Sequence, residues 1–193
     1  MNVLVVICHP RRESLTGALA DAFVEGLEGA GHTAEIADLY AENFDPLVQP
    51  ADEPDYDDPT KVYSPEVRAE MARIERNDAI AMFFPVWWWS VPAMLKGWID
   101  RVWNHGWAYG WEGEKASLPV DKTVMVALAG SPREDYERRG FDKAMDVQLR
   151  IGITNYCGIA DAGIETFYDT LNKDAPFDDM IERAHALGSR FAK

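Results

Sequence analysis

Five short, mostly apolar runs, each followed by a helical or loop-rich stretch, constrain this chain more than any other feature. They occupy residues 3–7, 33–38, 79–84, 123–129 and 162–167. Short apolar runs of this kind suit strands buried on both faces, as in a parallel sheet covered by helices. Between the first two, Leu15, Leu19, Ala22, Phe23, Gly26 and Leu27 recur at helical spacing behind a Ser14 cap, and Gly29 and Gly31 close that helix. Ser64, Pro65 and Glu66 open a second helix with a cap, a proline at the first position and an early acid, and turn Val67, Met71 and Ile74 inward. A third begins after Pro92 with Leu95, Trp98, Ile99 and Val102 inward. The pattern predicts a fourth over 137–156 and a last one over 175–191, with Phe177, Ile181, Ala184 and Leu187 inward.

Five such units predict an α/β fold: one doubly wound parallel sheet in three layers, with right-handed crossovers. The length of 193 residues suits a single domain over 1–193 with a sizeable core. Two strand orders fit, 2-1-3-4-5 and a Rossmann half. The first turn reads Cys8-His9-Pro10-Arg11-Arg12-Glu13-Ser14-Leu15-Thr16 and holds no Gly-x-Gly-x-x-Gly, which favours the flavodoxin-like order 2-1-3-4-5. Residues 43–58, rich in Pro, Asp and Glu, form a long irregular connection, the kind that is usually functional or mobile.

The balance of 33 acids against 19 bases gives a net charge of −14, which repels phosphate backbones and argues against nucleic acid as a partner. No apolar stretch reaches the roughly 18 residues of a membrane span. The start, Met1-Asn2-Val3-Leu4-Val5, reads as a strand rather than a signal peptide. Cys8 and Cys157 match no metal or redox spacing, so no metal is expected, and two free thiols fit a reducing cytoplasm.

All seven tryptophans lie between Trp87 and Trp111. The third run ends in Phe83-Phe84-Pro85-Val86-Trp87-Trp88-Trp89-Ser90-Val91-Pro92, the text of a strand's C-terminal mouth, where open α/β sheets bind ligands. Neighbouring side chains in extended chain face opposite sides, so the three consecutive tryptophans cannot all pack in one core. Aromatics gathered there suit a large flat ligand, a flavin ring first. Trp98 and Trp103, at helical spacing, read as core or interface instead.

Three segments could hold such a ligand. The first helix N-terminus attracts an anion through its unpaired amides, with Ser14 and Thr16 hydroxyls, Arg11 or Arg12, and His9 beside it; Ser14 serves equally as a plain cap. The second is the Pro85–Ser90 stretch, whose backbone amides can bond the ring edge. The third is Ala129-Gly130-Ser131-Pro132, where a glycine admits close backbone approach, with Tyr136 beyond it as a hydroxyl donor or a loop aromatic.

These segments, with Asp38-Leu39-Tyr40, Asn43-Phe44-Asp45-Pro46, Tyr63-Ser64-Pro65-Glu66 and above all Pro85-Val86-Trp87-Trp88-Trp89-Ser90-Val91-Pro92-Ala93-Met94-Leu95-Lys96-Gly97-Trp98, carry a resemblance over nearly the whole chain. The chain resembles the flavodoxin-like NAD(P)H:quinone oxidoreductase family, which includes the DT-diaphorase type and the ancillary subunits of bacterial potassium-efflux systems. The resemblance implies a cytoplasmic flavoprotein that takes a hydride from NADH or NADPH and passes two electrons to a quinone or other flat aromatic acceptor by ping-pong turnover. It implies that His9, Arg11, Ser14, Leu15 and Thr16 hold the cofactor's phosphate region, that Pro85, Val86, Trp87 and Trp88 line its ring, and that Gly130 and Ser131 approach the ring's pyrimidine edge. Tyr136 matches the family's catalytic tyrosine. Where the DT-diaphorase type has a histidine six positions later, this chain has Asp142, which puts a tyrosine–histidine relay in question. The long connection resembles the FAD-binding members, with FMN as the alternative. Family members are typically homodimers; Trp103, Trp107, Tyr109 and Trp111 are the local candidates for that seam, and Trp107, Tyr109 and Trp111 for an acceptor pocket. A regulatory flavin-binding subunit of a potassium-efflux system and a flavodoxin-like electron carrier are the other readings.

Overall fold

Alternate residues of each strand leave the sheet on opposite sides, and the core divides accordingly. In the computed structural model, which describes residues 1–58, 60–111 and 117–191, the strands are β1 (Asn2–Ile7), β2 (Thr33–Asp38), β3 (Ala79–Pro85), β4 (Lys122–Leu128) and β5 (Asp161–Phe167). They pair in parallel in the order β2-β1-β3-β4-β5. Val3, Val5, Ile7, Ala81, Phe83 and Val126 face one layer, formed by α1 (Leu15–Gly29) and α6 (Phe177–Phe191). Leu4, Val6, Ile80, Met82, Phe84 and Met125 face the other. That layer holds α2 (Pro65–Glu75) and α3 (Ala93–Val102), with Met145 of α5 (Phe141–Met145) and Leu149 of a π-helix at Asp146–Asn155 completing its core. Burial on both faces is why the strands show so little polar alternation.

In the first layer, α1 and α6 approach closely through glycines. A Cβ on Gly188 would stand 2.0 Å from the carbonyl oxygen of Phe23. Phe23 packs edge-on against Phe83 and Phe191, at ring-centre distances of 5.3 and 5.4 Å.

The long connection is not loose. Arg101 of α3, only 2% exposed, reaches across to it and donates to Asp52 Oδ2 at 2.8 Å, to Glu66 Oε2 at 2.7 Å and to the Asp45 carbonyl. Asp52 also accepts from the Ser64 amide at 2.9 Å, and the Phe44 ring lies 5.1 Å from the guanidinium. Burial pushes the Asp52 carboxyl up, but Arg101 and Ser64 outweigh it and hold the group below the usual carboxylate range.

Two helical expectations are corrected. The single helix over 137–156 is three pieces: α4 (Arg133–Arg139), α5 and the π-helix. The break falls at Gly140, whose φ of +74° ends α4 in the left-handed region that suits glycine. The last helix starts at Phe177, not Ala175, and Phe177 is 37% exposed, with Met180 and Phe191 in the core in its place. Among the described residues no helix is long and apolar enough to cross a membrane. No group of His, Cys, Asp and Glu among them could hold a metal ion.

Candidate functional site

The C-terminal ends of β1, β3, β4 and β5 open onto one cavity of about 670 Å³. Of the residues that the sequence marks for a cofactor, His9, Arg11, Ser14, Leu15, Thr16, Pro85, Val86, Trp87, Trp88, Gly130, Ser131 and Tyr136 line it, whereas Arg12 and Ser90 do not.

The β1 arm is a turn closed by its own histidine. His9 Nδ1 lies 3.0 Å from the Arg11 amide and 2.9 Å from the Arg11 carbonyl, so the ring folds back on the turn that follows it. Ser14 caps α1, accepting from the Gly17 amide at 3.3 Å, so the plain capping role holds while its side chain also borders the cavity. The first-turn amides of Leu15 and Thr16 have no intrahelical partner and, with the helix dipole, form an anion seat. Arg12 turns away to an ion pair with Asp21 and a 3.8 Å approach to Asp38, which leaves Arg11 as the base at the rim. Beneath the turn, burial pushes the Cys8 thiol up to about 12, so it stays an inert core thiol.

The β3 arm departs from extended chain. Val86 still pairs with β4, its amide donating to the Leu128 carbonyl at 2.8 Å. Trp87 and Ser90 then exchange both backbone hydrogen bonds at 3.1 Å, and Trp88 and Trp89 between them have φ of +53° and +56°. Two positive φ values inside a two-residue loop mark a type I′ turn, a place ordinarily held by Asn and Gly. The conformation costs a side-chain-bearing residue about 1–2 kcal/mol. The turn, not strand alternation, fans the three indoles: Trp88 stands 88% exposed at the rim, while Trp89 stacks on Phe141 with ring centres 4.1 Å apart.

The β4 arm brings Gly130 and Ser131, then α4 with Tyr136, 5% exposed and packed edge-on to Tyr168 at 5.3 Å. Burial, then Tyr168, pushes the Tyr136 phenol above its ordinary value and keeps it a proton donor. The β5 arm was missed by sequence reasoning. Thr170 and Leu171 line the cavity, with the Thr170 amide bonded to the Ala129 carbonyl at 3.1 Å. Leu171 lies over Gly130, where an added Cβ would meet its Cδ1 at 2.7 Å. The signal was position alone: these residues follow a strand's C-terminal end, as the other three arms do. Glu13 and Leu128 also line the cavity without having been marked, as does Trp89 from within the marked Pro85–Ser90 stretch.

The remaining marked residues lie elsewhere. Asp142 borders a separate cavity of about 200 Å³ with Arg133, Glu137 and Tyr168, and its Oδ1 is buried. Tyr109 lines a third, of about 350 Å³, with Tyr56, Trp103 and Tyr156. Trp107 instead donates to Glu75 Oε1 at 2.8 Å, and Trp111 packs against Tyr56 and His105. Trp103, read as core or as part of a seam, is 4% exposed and joins Trp98 in the core, where Trp98 Nε1 donates to Glu70 at 2.8 Å.

A family model for the flavodoxin-like fold matches residues 1–188. The chain belongs to the flavodoxin-like family. Among similar members is an uncharacterised NAD(P)H oxidoreductase of Escherichia coli, YcaK, 41% identical over 171 residues, which span 88% of this chain and 85% of that one. NAD(P)H dehydrogenase (quinone) 1 of Rattus norvegicus is 32% identical over 81% of this chain and 65% of its own length. A solved structure of this flavodoxin-like type, NAD(P)H:quinone oxidoreductase from Methanothermobacter marburgensis, superposes with a TM-score of 0.91 at 31% identity, covering 100% of this chain and 98% of that one.

Proposed function

We propose that the chain is a flavin-dependent NAD(P)H oxidoreductase acting on quinone-like acceptors. The observation that carries the reading is the single cavity joining an anion seat, an aromatic wall and a buried phenol. The donor set fits a flavin: helix amides and hydroxyls for a phosphate, indoles for a ring, and a glycine whose missing Cβ leaves room beside Leu171. When bound, such a cofactor supplies two-electron redox chemistry, taking a hydride from NADH or NADPH and serving the acceptor in ping-pong turnover.

The chain's own residues do the rest. Arg11, His9 and the amides of Leu15 and Thr16 seat the phosphate, local compensation for a net charge of −14. Pro85, Val86, Trp87 and Trp88 wall the ring and exclude water from one side. Tyr136 holds a proton at its hydroxyl and donates a hydrogen bond where negative charge develops. Tyr168 packs on Tyr136 and borders the Asp142 cavity, so any relay to Asp142 runs past Tyr168. FAD is the first choice and FMN the second; chromatography of the extracted flavin beside standards decides between them. Tyr109 and Trp111 are assigned to a homodimer seam, and sedimentation at twice the monomer mass is the expected result. Anaerobic NADH or NADPH added to flavin-loaded protein is expected to bleach the visible flavin band. An unchanged band overturns the reading.

A further inference from the structure

The Trp88–Trp89 turn is held in a conformation that its own residues disfavour, and such strain persists only where the surroundings over-determine it. The Trp87–Ser90 backbone pair closes the turn from below, and one ring braces its side chains. Phe141 stacks on Trp89 at 4.1 Å with an interplanar angle of 30°, and it also meets Tyr136 edge-on at 6.0 Å. Trp89 in turn meets Trp88 edge-on at 6.2 Å. Phe141 is the first residue of α5, directly after Gly140, so the elbow between α4 and α5 is what aims the ring at Trp89. Trp88 is 88% exposed, and among the described residues its one ring contact is with Trp89. A hollow of about 90 Å³ borders the stack, lined by Trp89, Ser131, Tyr136 and Phe141 among others, so loss of the ring gives the turn room to relax.

We propose that Phe141 is a positioning residue: by stacking on Trp89 it fixes the Trp88–Trp89 turn, and so sets how tightly the cavity mouth receives a flat aromatic acceptor. The inference rests on the proposed function only for the class of ligand. Phe141 itself does not line the main cavity. It touches two residues that do, Trp89 and Tyr136, and its hold on the turn passes through Trp89.

The test uses flavin-loaded protein and a simple naphthoquinone, with binding read by quenching of tryptophan fluorescence. F141A is expected to change the near-ultraviolet circular dichroism of the indole pair and weaken quinone binding about 5- to 10-fold, the scale of one aromatic contact. F141Y is expected to restore both, while F141L, which keeps bulk but no ring, is not. In a W88A background, F141A is expected to add nothing further. Turnover with ferricyanide, which needs no stacking surface, is expected to keep its KM in F141A. Equal quinone affinity in wild type and F141A overturns the inference, as does full rescue by F141L or an equal rise in the ferricyanide KM. Wild-type protein that binds the quinone but never oxidises NAD(P)H overturns the proposed function and leaves the inference standing.

Discussion

Tyr136 and Asp142 differ in what surrounds them, and that difference separates their expected contributions. Tyr136 borders the main cavity with a phenol that burial keeps protonated, whereas Asp142 borders another cavity. Y136F removes a single donor, and anaerobic stopped-flow reduction is expected to slow about 10²-fold, the usual loss for one hydrogen bond to developing charge. D142N is expected to slow it far less. Unchanged rates in both variants would remove catalysis from either residue. Residue types alone pointed to the β1 arm of the cavity, because Ser14, Thr16 and Arg11 each carry a donor at a helix start. They did not expose the shape of the tryptophan turn. A type I′ turn announces itself through Asn and Gly, and Trp88 and Trp89 carry neither signal. Trp89, which composition could not assign, finds its partner in Phe141, 52 positions along the chain, through an elbow no local pattern encodes.

At the level of elements, the strands were readable because both of their faces are buried, which leaves mostly apolar text bounded by turn residues. The helix after β4 was misread as continuous because Gly140 sits inside a helical spacing, and a lone glycine there is ambiguous until its φ is known. The α1–α6 contact was equally hidden: Gly26 and Gly188 look like weak helix formers, yet they are the points where two backbones nearly touch. G188A places a Cβ 2.0 Å from the Phe23 carbonyl, which is backbone and cannot swing aside. Urea unfolding is expected to show a loss of about 1–3 kcal/mol from this overpacking. G29A, with nothing within 4 Å of the added carbon, is expected to be neutral or slightly stabilising.

For the molecule as a whole, the long connection, whose composition suggested a functional or mobile segment, is pinned to α3 at Asp45 and Asp52 while most of its residues stay exposed. A loop of that length gives no local hint of Arg101, whose hydrogen bond to Asp52 spans 49 residues. Because the folded Asp52 carboxyl lies below its unfolded value, its contribution is complete above the unfolded value near pH 4 and fades as pH falls through the folded one. D52N is expected to lose about 3 kcal/mol at neutral pH, since it leaves a buried guanidinium underpaired. Its stability is also expected to fall less steeply than the wild type's below about pH 4, as measured by denaturant titration across pH. The same pair has a kinetic meaning. The contact ties irregular chain to a helix outside the sheet, and we expect it to form after the sheet and to be absent from the folding barrier. In stopped-flow chevrons, D52N is expected to steepen the escape from the native state while refolding proceeds at the wild-type rate. That outcome would make Arg101 a determinant of how long the folded molecule lasts rather than of how quickly it is made.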